Sequence, residues 1–194
     1  MAPGPSPEAA AGRREEDSLL LQVARDAVVH GLETGGPPLL RLERFPPALR
    51  APGASFVTLR LEGRLRGCLG SLEAERALVL DVAENAVGSA LRDPRFSPLA
   101  RNELAALEIE LSLLGPLEPL AVASEEELLL RLRPGVDGLL IEAEGRRATF
   151  LPAVWRELPE PRAFLAALRR KAGLGPHAGS ARLLAWRYLV RSIG

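Results

Sequence analysis

Apolar residues at helical spacing predict two helices in the first half of the chain. The first begins at Asp17 or Ser18 and ends near Thr34, and its apolar residues share one face because they recur every three or four positions. That face consists of Leu20, Val23, Ala24, Ala27, Val28 and Gly31. A second helix is predicted from Ser71, acting as its N-cap, to about Leu91, since a serine hydroxyl accepts from the first N–H groups of a helix.

Residues 56–61 and 107–113 alternate between apolar and polar residues, which is the pattern of half-buried β-strands. Residues 64–70 follow the first of these as its return strand. Glu62-Gly63 separates residues 56–61 from this return strand and is typical of a two-residue hairpin turn. The pattern therefore predicts that these two strands are antiparallel neighbours.

The second half of the chain continues this mixture of helices and hairpins. Ser124-Glu-Glu-Glu127 is typical of a capping box at the start of a short helix, which ends before Pro134. Residues 138–142 and 147–151 flank Glu144-Gly145. This arrangement predicts a second hairpin.

The order of the elements predicts the fold class. A helix from Pro161 to Lys171 and a long strand over residues 182–193 end the chain. Because helices and hairpins interleave without a regular strand–helix–strand repeat, we expect an α+β fold with a largely antiparallel sheet and packed helices. Residues 1–16 are rich in Pro and Ala without apolar periodicity, and are expected to form a disordered tail before one domain over residues 17–194.

Composition narrows the classes of function. Lys+Arg and Asp+Glu both number 25, so no net charge attracts nucleic acid or a membrane. Basic residues concentrate after Gly145, but no aromatic platform interleaves with them, so nucleic-acid binding is not expected. With one cysteine and two histidines, neither an intrachain disulfide nor a metal site is expected, and no cofactor is implied. The chain shows no signal peptide and no apolar run of about 20 residues, so we expect a cytoplasmic protein.

The stretch Leu65-Arg-Gly-Cys-Leu-Gly70 is the most unusual in the chain. In a regular strand, Arg64, Arg66 and Cys68 point to one face. A guanidinium beside Cys68 favours its thiolate, which makes Cys68 a candidate catalytic nucleophile with Arg66 as its activator. His177, in a loop rich in Gly and Pro, is a weaker candidate base for this thiol. The alternative is that Cys68 is a small buried core residue.

Further candidate ligand-binding residues accompany Arg66 in the sequence. Gly67 and Gly70 allow an anion or another tightly bound ligand to approach the backbone. Asp93-Pro-Arg95 follows the second predicted helix, and its two charged side chains are also candidates. The Asp93 carboxylate could act as a general base or orient Arg66. Alternatively, Asp93 only caps the turn.

Taken together, these motifs resemble the AMMECR domain family, whose bacterial and archaeal members are called AmmeMemoRadiSam system protein A. The resemblance covers roughly residues 18–190. Its landmarks, in chain order, are Ser55-Phe-Val-Thr-Leu59, Leu65-Arg-Gly-Cys-Leu-Gly70, Asp93-Pro-Arg-Phe96, Ile109-Glu-Leu-Ser-Leu-Leu114, Phe150-Leu-Pro152 and Lys171-Ala-Gly-Leu174.

The resemblance implies an α+β fold with a larger and a smaller lobe. It further implies that Leu65-Arg-Gly-Cys-Leu-Gly70, called the hallmark stretch below, lies near a groove between them. It also implies an association with a Memo-like protein and a radical SAM protein, while it supplies no established reaction. The chain departs from the family pattern at Gly135-Val-Asp-Gly138, where an Arg-His-like pair is usual, and at Gly179, where a tryptophan is usual. His177 stands where an acidic residue is more usual.

Two hypotheses about function follow. In the first, the chain is an accessory partner of the Memo-like and radical SAM proteins, with a ligand groove around the hallmark stretch. In the second, it is a thiol-dependent enzyme that uses Cys68 on an anionic small molecule. A Cys68 buried among aliphatic side chains excludes the second hypothesis, and a Cys68 that shares a groove with Arg66 and Asp93 favours a ligand site.

Overall fold

Most of the predicted helices and strands form, although several begin or end elsewhere. The computed structural model describes residues 6–175 and 183–194. Its α-helices are Pro7–Thr34 (α1), Pro47–Arg50 (α2), Leu78–Leu91 (α3), Glu125–Arg131 (α4) and Pro161–Lys171 (α5). Its strands are Pro52–Leu61 (β1), Arg64–Gly70 (β2), Arg76–Ala77 (β3), Leu107–Leu114 (β4), Glu118–Pro119 (β5), Gly138–Ala143 (β6), Arg146–Phe150 (β7), Leu184–Tyr188 (β8) and Val190–Ile193 (β9).

The chain divides into a larger and a smaller unit, each with its own sheet. The larger unit comprises the chain up to Leu114 together with Arg191–Gly194, and the smaller unit is Gly115–Val190. In the larger unit the strand order is β2-β1-β4-β9, with β3 also beside β1. Strand β1 runs antiparallel to β2, β3 and β4. The predicted α+β fold with antiparallel sheets is therefore confirmed.

Helices α1 and α3 supply much of the core of the larger unit. Both pack their apolar faces against the sheet, and each fully buried Val or Leu side chain there contributes about 1.5–3 kcal/mol. The fully buried members include Leu20, Ala24, Ala27 and Val28 of α1, Val79, Val82, Ala86 and Val87 of α3, and Val57, Leu59 and Leu111 of the sheet. The apolar face predicted for the first helix is thus the face that is buried.

Both predicted hairpins are present, and their turns explain why. Glu62 and Gly63 have φ values of 50° and 73°, and Glu144 and Gly145 have values of 53° and 70°. Positive φ at both central positions is the type I′ turn, whose twist matches the strands of a hairpin, and the glycine at the second position adopts it without cost.

The smaller unit has the strand order β5-β8-β6-β7, and its neighbouring strands are antiparallel. Its buried core includes two aromatic side chains, Trp155 and Phe164, beside aliphatic ones, whereas the buried core of the larger unit is aliphatic. The Trp155 ring stacks on the Phe164 ring with centroids 3.7 Å apart, and the indole N–H donates to the Asp137 carbonyl at 2.7 Å. Ser124 accepts from the N–H of Glu127 at 3.2 Å, which confirms the predicted start of α4.

Helix α1 begins ten residues earlier than the apolar spacing predicts. Ser6 is its N-cap and accepts from the N–H of Ala9 at 3.3 Å, and Pro7 and Glu8 follow in the first turn. Serine, proline and an acidic residue in this order favour a helix start. The expectation of a disordered tail over residues 1–16 is therefore wrong from Pro7 onward, where the chain is helical. The pattern missed this part of the helix because a helix shows no apolar periodicity where no core lies beside it.

Two further boundaries differ from the prediction. Helix α3 begins at Leu78 and not after Ser71, with Ala77 as its N-cap. The predicted long C-terminal strand is divided at Leu189 into β8 and β9, which belong to different sheets. Among the described residues, no helix combines the length and the apolar composition that crossing a membrane requires.

Ser71 instead helps to surround a buried carboxylate that joins β1 to α3. Asp81 is 1% exposed. One of its oxygens accepts from the Ser55 N–H at 2.8 Å, the Ser55 hydroxyl at 2.7 Å and the Asn85 amide at 2.9 Å, and the other accepts from the Ser71 hydroxyl. Arg76 Nε lies 3.7 Å from the same second oxygen. Each donor replaces a water that the carboxylate lost on burial.

Replacing Asp81 with alanine is expected to lower the free energy of unfolding by about 3 kcal/mol, because buried donors of Ser55 and Asn85 lose their acceptor. Urea unfolding followed by circular dichroism measures the change. Asp26→Ala is the matched control, since Asp26 accepts only an exposed hydrogen bond from Gln22. Equal losses in the two variants would contradict the assigned role of Asp81.

Candidate functional site

The hallmark stretch lies on β2, and its first glycine is required by a backbone contact. Gly67 is buried opposite Leu59 of β1. A β-carbon at Gly67 would lie 2.1 Å from the carbonyl oxygen of Ser89 on α3. Likewise, a β-carbon at Gly70 would lie 2.3 Å from the Phe56 ring. Close packing therefore explains why both positions are glycine, and their role in ligand binding stays a prediction.

Ser89 also enters the ladder between β1 and β2. Its hydroxyl donates to the Val57 carbonyl at 2.7 Å and accepts from the Leu69 N–H at 2.8 Å. Val57 and Leu69 are partners in the register, so one hydroxyl bridges two groups that would otherwise bond directly in a regular ladder. The close approach at Gly67 is what brings the helix near enough for this bridge.

Arg66 lies at an irregularity of the strand. Leu59 pairs with Gly67 and Arg60 pairs with Leu65, so Arg66 is an extra residue without a partner on β1. Such a bulge interrupts the alternation of side chains and changes the direction in which the side chain of the extra residue points. The expectation that Arg64, Arg66 and Cys68 follow one strict alternation is therefore corrected.

The guanidinium of Arg66 is held by a carboxylate and two carbonyl groups. It donates to both oxygens of Glu103, at 2.7 and 3.0 Å, and to the carbonyls of Ser97 and Pro98 at 2.8 and 3.2 Å. The hydrogen bond with Glu103 raises the pKa of Arg66, and the hydrogen bond with Arg66 lowers the pKa of Glu103. Arg66 thus ties β2 to the segment after Asp93, and its roles in ligand binding and in activating Cys68 stay predictions.

Asp93 and Arg95 together hold the backbone of Cys68. One Asp93 oxygen accepts from the Cys68 N–H at 2.8 Å, and Arg95 donates to the Cys68 carbonyl at 3.1 Å. The two side chains also bond each other, at 2.7 and 2.9 Å. The Asp93 side chain is 2% exposed, and its hydrogen bonds, first those from Arg95 and then those from backbone N–H groups, lower its pKa to about 2. Asp93 therefore orients Arg95 and not Arg66, and we call this pair the Asp93–Arg95 clamp.

The Cys68 thiol itself is partly exposed and not buried in the core. Thr58 lies opposite Cys68 on β1 and donates to its sulfur at 3.4 Å. The guanidinium near the sulfur belongs to Arg95, whose pKa is raised first by Asp93 and to a smaller extent by Cys68. The arginine that hydrogen-bonds Cys68 is thus Arg95, through the Cys68 carbonyl.

Other sequence candidates do not join this site within the described residues. His177 lies outside residues 6–175 and 183–194, so its pairing with Cys68 stays a prediction. In these two ranges no three His, Cys, Asp or Glu side chains converge as a metal site. The sequence pattern missed the contacts of Thr58, Ser89 and Glu103. Ser89 and Glu103 belong to distant segments that fold back onto β2, and Thr58 comes opposite Cys68 only because the bulge shifts the register.

The comparisons with known proteins agree with this architecture. The AMMECR1 family model matches residues 21–193. This chain belongs to the AMMECR1 family. A protein from Methanothermobacter thermautotrophicus is 38% identical over 84% of this chain and 85% of its own length. Protein MK0488 from Methanopyrus kandleri is 34% identical over 84% and 79% of the two chains.

A solved structure shows the same fold. The crystal structure of the uncharacterised protein PH0010 from Pyrococcus horikoshii superimposes with a TM-score of 0.82 at 31% identity, covering 92% of this chain and 90% of that one. The AMMECR resemblance drawn from the motifs is therefore confirmed for nearly the whole chain. In this AMMECR1 protein, the backbone of β2 is fixed by contacts from α3 and from the turn that follows α3.

Gly67→Ala is expected to lower the free energy of unfolding by about 1–3 kcal/mol, because strand and helix must move apart to admit the methyl group. Urea unfolding measures the loss. Gly36→Ala is the control, since a β-carbon there meets nothing within 4 Å. A Gly67→Ala protein as stable as the control would show that Ser89 does not fix the strand.

The low pKa of Asp93 predicts an acid-sensitive contribution to stability. The pKa of Asp93 is about 2 in the folded chain, against an ordinary value of 3.8. The ionised carboxyl therefore stabilises the fold fully above pH 3.8, and this contribution is lost as the pH falls toward 2. Between pH 5 and pH 2, wild type should lose about 1–2 kcal/mol more than Asp93→Asn, which cannot titrate there. Urea unfolding at several pH values compares the two, and parallel pH profiles would refute the prediction.

Proposed function

We propose that this AMMECR1 protein is an accessory protein that binds a partner protein, and that it does not use Cys68 as a nucleophile. The partners implied by the family resemblance are a Memo-like protein and a radical SAM protein. The proposal is carried by two groups that lie beside Cys68 in the described part of the chain: the Thr58 hydroxyl, which donates to the sulfur, and the Arg95 guanidinium, which donates to the Cys68 carbonyl. Neither group accepts a proton near neutral pH, so neither can serve as the base of a thiol nucleophile.

The nearby carboxylate supports the same proposal. A general base must be able to take up a proton at the operating pH. Both oxygens of Asp93 already accept hydrogen bonds from Cys68 and Arg95, and its pKa of about 2 makes it a weak base. The charge of Asp93 therefore serves to hold β2 in place.

The surface available to a partner is the exposed part of β2. Arg64 is exposed, Leu65 is 39% exposed, and Cys68 is partly exposed. An exposed apolar side chain beside a cation, on a strand fixed by its backbone, offers a partner a contact that needs little reordering on binding. We propose that Leu65 is the apolar anchor of this contact.

One observation favours the alternative, a thiol-dependent enzyme acting on an anionic small molecule. Arg95 places a positive charge beside Cys68, and a neighbouring cation favours the thiolate. The same charge could hold an anionic substrate. This alternative needs a base other than Asp93.

Binding to the purified Memo-like and radical SAM proteins, measured by isothermal titration calorimetry, tests the proposal. We expect at least one of them to bind, and Leu65→Glu to weaken that binding about tenfold or more, since it places a charge at an apolar contact. Leu39→Glu is the matched control, because Leu39 is fully exposed elsewhere in the larger unit. The proposal fails if neither protein binds or if both variants weaken binding equally.

The rate at which iodoacetamide alkylates Cys68 separates the two functions. For an accessory protein, we expect Cys68 in the folded chain to react at pH 7 no faster than a cysteine in an unstructured peptide. The enzyme alternative instead requires a rate about tenfold higher that falls in Arg95→Ala, because that variant removes the cation beside the thiol. Arg66→Ala serves as the control, since its guanidinium is bound by Glu103.

A further inference from the structure

The outer edge of β2 carries backbone groups that could pair with another strand. In the larger unit, β2 is the terminal strand and has β1 on one side only. The N–H and C=O groups along such an edge are a template for pairing with a second chain. At Cys68 these two groups point away from β1, toward Asp93 and Arg95.

The Asp93–Arg95 clamp satisfies both groups as a neighbouring strand would. In an antiparallel ladder, one residue accepts from the N–H opposite and donates to the C=O of that same residue. Here Asp93 accepts from the Cys68 N–H at 2.8 Å, and Arg95 donates to the Cys68 C=O at 3.1 Å. Their mutual ion pair at 2.7 Å makes them one unit. The clamp thus occupies the place of one residue of a further strand.

The clamp occupies the backbone groups of Cys68 on the outer edge of β2. The N–H of the next residue, Leu69, faces inward, where Ser89 bridges it to Val57 of β1. On the other side of Cys68, Arg66 lies in the bulge and its side chain crosses to Ser97 and Pro98. Closure of the edge at Cys68 therefore depends on the clamp.

We propose that the Asp93–Arg95 clamp keeps the β2 edge of this chain from pairing with the same edge of a second copy. An antiparallel pair of β2 strands centred on Cys68 is two-fold symmetric and self-complementary. In this register Arg66 lies opposite Gly70 and Arg64 lies opposite Leu72 of the other copy, so the pairing places no like charges opposite each other. Removing the clamp exposes the two backbone groups that begin this pairing.

Disulfide trapping tests the proposal, because Cys68 is the single cysteine of the chain. Two residues opposite each other in a hydrogen-bonded antiparallel pair have Cα atoms about 5.5 Å apart, within the range of a disulfide. Under a mild oxidant, Asp93→Ala/Arg95→Ala should form covalent dimers about tenfold or more faster than wild type, since pairing raises the local thiol concentration. Sedimentation of the reduced protein should show a dimer only for the double variant.

Arg101→Ala is the matched control, since it removes an exposed arginine that pairs with Glu33 on the same unit. Thermal melting establishes that each variant is folded. If the double variant does not fold, Arg95→Ala, which leaves the Asp93 acceptor in place, is measured in its stead. The proposal is overturned if a folded clamp variant stays monomeric and crosslinks at the rate of the control, or if wild type already crosslinks as fast.

Discussion

The contact between Gly67 and the Ser89 carbonyl is the constraint on which the arrangement of β2 depends. Because residue 67 lacks a β-carbon, the strand approaches the backbone of α3, and the Ser89 hydroxyl can enter the ladder between Val57 and Leu69. The same approach brings Asp93, just after α3, within 2.8 Å of the Cys68 N–H. One missing methyl group thus allows helix, turn and edge strand to form one hydrogen-bonded unit.

This arrangement also determines what the charged residues can do. Arg66 and Asp93 look like catalytic groups in the sequence, but each meets an opposite charge and backbone groups in the fold. A half-buried ion pair with several hydrogen bonds is held in one geometry, and leaving one partner alone is costly. Such groups position a strand well and exchange protons poorly near neutral pH.

The sequence predicts most of the secondary structure because periodicity and turn residues are local signals. The hairpin at Glu62-Gly63 is one example, since its positive φ values require no distant contact. The register beyond that turn is not local. A regular hairpin would place Gly67 opposite Thr58, whereas the bulge at Arg66 moves Cys68 there. The start of α1 was missed for the opposite reason, because the cap at Ser6 is a local signal but no apolar face accompanies it.

The hallmark stretch can therefore be separated into residues that the fold requires and residues that it does not. Gly67 and Gly70 are required by close contacts, and Arg66 by its bonds to the segment after Asp93. The clamp bonds the backbone N–H and C=O of Cys68, which any residue but proline provides. The Cys68 thiol and the exposed Leu65 side chain contribute little to this framework. Exposed side chains that contribute little to the stability of a rigid framework are the ones best placed to contact a partner or a substrate.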